Sequence, residues 1–153
     1  MLNRLSTRDK LLRVGIPIRS ILCVLCNLGE ENSGNLFFTC EVPRSLWNRC
    51  GGWLGVQFVH HYSVKEHFLR FCAFGMGKSG TGVWRVLWLT IVWSIWKLRN
   101  NIAFKNMVCD IVEVFFTIQT KTWAVIRVKF KNSFFSYSNW VIAPLECIKM
   151  LKG

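Results

Sequence analysis

The sequence predicts a mainly α-helical protein in which a small cysteine-rich, zinc-binding-like loop precedes a bundle of about four helices. Three observations carry this reading. Cys23 and Cys26 sit two residues apart, and Cys40 follows after a polar, glycine-bearing loop. Further on, Trp84, Trp88, Ile91, Ile95, Leu98 and Ile102 recur at alternating steps of four and three, which is one face of a helix over about 82–104. Finally, Asp110 stands ahead of Ile111, Phe115, Ile118, Thr122 and Val125, which share the inner side of a second long helix.

The elements can be justified in order. Ser6 or Thr7 caps a short helix through DKLLRV, and Gly15 ends it. Pro17 then imposes an extended segment before the cysteine loop. Pro43 suits the first turn of a helix through SLWNRCGGWLG, which Gly51 and Gly52 are expected to weaken or break. SVKEHFLRFCAF opens on a serine cap and repeats Val64, Phe68 and Phe71 or Cys72 at helical spacing. GMGKSGTG reads as a loop. The long helix that follows has a second apolar face, Val86, Leu89, Trp93 and Trp96, as expected of a central helix, so its tryptophans are assigned to the core. IRVKFK continues the helical spacing of the preceding turns although its alternation is also strand-like. Pro144 marks a tail that ends in a short helical turn.

Composition narrows the function. Of 153 residues, 52% are hydrophobic and 18% charged, which excludes a disordered chain. The formal charge is +12, and no acid lies between Glu66 and Asp110, where Arg70, Lys78, Arg85, Lys97, Arg99 and Lys105 stand unopposed. Such a balance favours polyanions, although a basic surface that only keeps the chain soluble has the same composition. VLWLTIVWSIW is too short to span a membrane, which takes about 20 apolar residues. MLNRLSTRDKLLR lacks the apolar segment of a signal peptide. The seven cysteines are accordingly read as reduced and the chain as intracellular, nuclear ahead of cytoplasmic if it binds nucleic acid.

Zinc takes four tetrahedral ligands, chiefly thiolate and imidazole, and a C-x2-C turn presents two of them. Cys40 adds a third, but no histidine lies between these cysteines. In order, TRDKLLRVGI, CVLC, NLFFTC, SLW, IVWSIWKLRNNIAF and NWVIAPLEC resemble the zinc-binding domain that follows the polymerase in plant LINE-type (non-LTR) retrotransposons, the reverse transcriptase zinc-binding domain family. The likeness runs from about Leu5 to Cys147. It includes the family's W-x-I-W-x-x-R-N motif, here Trp93, Ser94, Ile95 and Trp96 with Arg99 and Asn100.

The resemblance implies a zinc-binding-like cysteine module over residues 5–58 and a Trp-rich helical region, 59–153, packing on it. The ligands it implies are Cys23, Cys26, position 35 and Cys40. The family has Pro where Ser6 stands, and His where Asn35 stands. An amide oxygen is a weak zinc ligand beside imidazole, so the usual fourth ligand is replaced. Water, Cys50, His60 or His61 are the substitutes to hand; the alternative is three buried, inert thiols without metal. Because metal binding supplies folding energy in small sites, the loop over 23–40 is expected to be poorly ordered.

Other motifs are weaker. GKS lacks the P-loop glycine, whose place is taken by Cys72. His60, His61 and His67 have no nucleophile or carboxylate arranged with them and read as exposed loop residues. The acids are unclustered apart from Glu30 and Glu31, and no polymerase aspartate pair is present, so no enzyme activity is expected despite the family's polymerase association. The cations best placed for phosphate are Arg85, Lys97, Arg99, Lys105, Lys121, Arg127, Lys129 and Lys131. The expected partner is RNA or DNA, bound salt-sensitively and with little sequence preference, rather than a small molecule or a membrane. What the resemblance implies is a non-catalytic accessory domain, a stand-alone remnant of a reverse transcriptase. The rival is a ligand-free packing or interaction module, or a decaying fragment.

Overall fold

The computed structural model describes residues 2–59, 63–75, 77–131 and 133–151. After a 3-10 turn at Leu2–Arg4 come α1 (Arg8–Arg13), a π turn (Asn35–Thr39), α2 (Glu41–Leu54), α3 (Val64–Cys72), α4 (Gly77–Lys105), α5 (Ile111–Lys129), α6 (Tyr137–Ile142) and α7 (Pro144–Met150). Among the described residues the one β pairing is a bridge between Leu22 and Glu30. The mainly helical expectation, with the cysteines leading a helical body, is met.

Local chemistry accounts for the boundaries. Ser63 caps α3 by accepting from the Glu66 amide, and Asp110 caps α5 by accepting from the Glu113 amide. Ser136 and Asn139 form a reciprocal capping box on α6. Gly15 follows α1 at φ +80°, and Gly55 ends α2 at φ +67° in the left-handed conformation, its neighbour Val56 donating back to the Gly51 carbonyl.

Glycine misled the sequence reading twice. Gly51 and Gly52 do not break α2; a Cβ on Gly51 would stand 2.7 Å from the Val56 carbonyl oxygen, so glycine there admits the returning chain. The stretch from Gly77, read as a loop, forms the first turns of α4. Packing outweighs poor helix propensity: the Phe130 ring lies where a Gly82 Cβ would be 3.1 Å from it. The tail also differs from expectation, holding two short helices rather than one turn.

One hydrophobic core runs from Leu2 to Leu151. α4 is its axis, packed against α5, α3, α7 and the π turn. Trp84 and Trp88 are buried as expected, but the second apolar face of α4 is only half in the core: Val86 is buried and Trp96 half-buried against it, whereas Leu89 and Trp93 are exposed, Trp93 at 52%. On α5 the inner side is Phe115, Ile118, Thr122 and Ile126, and Val125 faces out, since the 3.6-residue period places 126 rather than 125 above 122.

Four indoles find hydrogen-bond acceptors, while the buried Nε1 of Trp123 has none among the described residues. Trp47 donates to the Phe37 carbonyl at 2.7 Å, tying the π turn to α2. Trp53 donates to the Val141 carbonyl, and Trp140 to the Gln119 carbonyl. Trp88 donates to Nδ1 of His67 at 3.0 Å. His67 is therefore not an exposed loop residue; it is buried in α3 and stacked on Phe38 with centroids 4.3 Å apart. His60 and His61 lie outside the described residues.

Candidate metal centre

The cysteine loop folds through short backbone bonds. The Cys23 amide donates to the Gly29 carbonyl at 2.6 Å, and the Asn27 amide to the Cys23 carbonyl at 2.8 Å, with Asn27 at φ 56°. This turns the chain so that Cys23 and Cys26 present their sulfurs together. Cys40 arrives from the other side, at the end of the π turn and the cap position of α2. Its amide donates to the Asn35 carbonyl at 2.9 Å.

The three sulfurs lie within 4.8 Å of one another, and those of Cys23 and Cys40 are 3.8 Å apart. Tetrahedral zinc with Zn–S bonds of about 2.3 Å requires S···S separations of about 3.8 Å. The thiols therefore fit a zinc ion. The Cys23 thiol is lowered to about 6, first through the hydrogen bond it shares with Cys40 and also through the Cys26 and Leu25 amides; burial works against this. Cys40, the other member of that pair, is shifted upward, and its burial adds to the effect. A thiolate, the form that binds metal, is thus favoured at Cys23.

The fourth position is where the chemistry is weakest. Asn35 opens the π turn, its amide accepted by the Asn32 side chain at 2.9 Å. A Cβ on Gly29 would stand 3.4 Å from Asn35 Nδ2, so the Asn35 amide rests against the same backbone that holds Cys23. Its Oδ1 is buried and makes no hydrogen bond among the described residues. A buried oxygen without a donor is the feature expected where a ligand is missing or weakly bound. Cys50, a suggested substitute, does not join the cluster; it is buried in α2, and burial pushes its thiol up to about 12.

The loop expected to be poorly ordered has an anchor that needs no metal. The Glu31 carboxylate is fully buried beside the cysteines. Its Oε1 accepts from the Arg8 amide at 3.1 Å and from Arg99 Nη2 at 2.7 Å. Its Oε2 accepts from the Val24 amide at 3.2 Å and from Arg99 Nε at 3.3 Å. The Arg99 guanidinium also lies 5.2 Å from the Trp96 ring and 5.8 Å from the Phe104 ring. The sequence places Arg99 among the phosphate-binding cations, and its burial against Glu31 overturns that. It is 4% exposed and committed to Glu31, so the arginine of W-x-I-W-x-x-R-N locks α4 onto the cysteine loop.

The other cations are placed differently. Arg85, Lys97, Lys105, Arg127, Lys129 and Lys131 are exposed and Lys121 is half-buried. Because α4 and α5 run antiparallel, Arg85 and Lys129 line one hollow, with Gly82 and Phe130. Lys97 and Lys121 line another, where Asp110 and Glu113 add negative charge. Arg127 lies 5.1 Å from the Trp123 ring.

Residues 1–47 match the family model described as zinc-binding in reverse transcriptase. The match covers all three cysteines and Asn35 and supports that family for this part of the chain. A search of curated proteins and one of solved structures find no significant match. Sequence reasoning missed Glu31. Its signal was an acid inside an otherwise polar metal loop of a strongly basic chain, but its partner lies 68 residues away.

Proposed function

We propose that the chain is a non-catalytic nucleic-acid-binding module of the LINE-type reverse transcriptase kind, in which a zinc knuckle braces a basic helical pair. The observation that carries this is the Glu31–Arg99 bond, which joins the family-matched cysteine loop to the acid-free helix α4. Zinc, held by Cys23, Cys26 and Cys40, would supply structural energy to the loop rather than chemistry on a substrate. The loop in turn sets the position of α4, whose cations contact phosphate. Among the described residues, no other group of three potential metal ligands accompanies the cysteines. No helix among the described residues is long and apolar enough to cross a membrane. Work on RNA or DNA copied in the nucleus suits such a module.

The test is a titration of the chain with single-stranded RNA across a salt series. Binding that falls steeply with salt supports the reading, since each phosphate contact to a single strand contributes about 0.7 to the slope. Binding indifferent to salt, or none, removes it. The rival reading, a ligand-free interaction module, is favoured by the apolar side chains left in solvent at Val128, Phe134 and Ile142. It gains if the chain binds no nucleic acid and self-associates.

A further inference from the structure

The outer face of α4 has a pattern that the core assignment of its tryptophans concealed. Arg85, Leu89, Trp93 and Lys97 are spaced by four, so they form one ridge along the helix, and all four are exposed. The ridge covers about 18 Å. Trp96 and Asn100 flank it half-buried, and Phe104, 77% exposed, continues it toward Lys105. No carboxylate lies on α4. An apolar helix face on a protein surface usually has a partner. Here the cations at both ends and the lack of acids on α4 itself specify its charge; Asp110 and Glu113, at the start of α5, reach only the hollow beside Lys97.

We propose that this ridge is a stacking track for single-stranded nucleic acid, with Trp93 as the residue on which an unpaired base lies and Arg85 and Lys97 as the phosphate contacts on either side. The proposal rests on the nucleic-acid reading above and deepens it by naming unpaired strands as the ligand. An indole half out of the surface offers a flat π face to any base, and flanking cations hold the backbone, which gives affinity with little sequence preference. A duplex keeps its bases stacked and cannot use Trp93; it can use only the charges. The buried Arg99 serves the track without touching the ligand. Its guanidinium packs between Trp96 and Phe104 and holds both rings at the edge of the ridge.

The decisive comparison uses fluorescence anisotropy with a labelled oligouridine of about twelve nucleotides, a length within the usual range of single-strand sites. A duplex of equal length is the control. Trp93→Ala is expected to weaken single-strand binding about 5- to 100-fold and leave duplex binding unchanged, with Trp93→Phe retaining most of the affinity. Lys97→Ala should weaken both ligands and lower the salt slope by about one. Circular dichroism of each variant checks that α4 is intact, which its solvent-facing positions make the expected result. If Trp93→Ala binds the single strand as the parent does, or loses both ligands equally, the stacking role is wrong while the nucleic-acid reading stands. If the parent binds neither ligand, both fall. If the parent sediments as a dimer that Trp93→Ala dissociates, the ridge is a contact between copies and the proposal is overturned.

Discussion

The cysteine loop and the α4–α5 pair are held by opposite kinds of force. Between α4 and α5 the contacts are apolar, through residues such as Ile91, Ile95, Ile118 and Ile126, and stability is spread over many small contributions. In the loop the strongest ties are a few polar groups: Glu31 with its four donors, and three thiols around one point. A spread core tolerates the loss of any one methyl group. A polar hub does not tolerate the loss of any member, because its partners stay buried without compensation. The region nearest the expected metal is therefore the one most exposed to single substitutions.

The largest effect should come from breaking that hub. Glu31→Ala leaves the Arg99 guanidinium buried and unpaired, and is expected to cost about 3–5 kcal/mol in chemical denaturation. Arg99→Met should cost a similar amount. The double variant should cost much less than the sum, since neither charge is then stranded. Additive losses would mean that the two residues act separately and that the contrast between hub and core is wrong. In the helix pair, Ile118→Val should cost only about 0.5–1.5 kcal/mol by the same measurement, as one methylene is lost from a packed site. Removing the α5 cap with Asp110→Ala should cost about 1 kcal/mol. A much larger loss at either position would show that the pair is no more forgiving than the loop.

The same contrast explains what was legible beforehand. Helix α4 was readable from Trp84 to Ile102 because apolar packing writes a 3.6-residue period into the chain. The knuckle was readable because C-x2-C is local. Glu31–Arg99 was not, because an ion pair closing over so long a separation leaves no periodic trace, and an arginine in an acid-free stretch looks the same whether it meets phosphate or a buried carboxylate. His67 and Trp93 were each assigned to the wrong side of the surface. Their exposure depends on where α3 and the π turn land on α4, which tertiary packing decides. Gly77–Gly82 was missed because propensity is judged without tertiary contacts such as Phe130, the ring that fills the space Gly82 leaves.

The smallest expected change in stability is the most informative about metal. Without metal, Asn35→His replaces one polar side chain by another at a half-buried position, and the shift should stay within about 0.5 kcal/mol. With zinc, the two chains should diverge. The parent offers three thiolates and an amide oxygen whose only claim is that nothing else satisfies it. The variant offers an imidazole to complete a three-thiolate, one-nitrogen site. Zinc per chain after refolding with the ion, together with the cobalt(II) spectrum of each, separates the cases. Tight, stoichiometric zinc in the parent would mean that a neutral oxygen or water suffices once the hub has set the three sulfurs. Zinc in the variant alone would mean that Glu31 and Arg99 now hold, without metal, a loop whose geometry still fits one, and that a single histidine is all that separates it from a complete site.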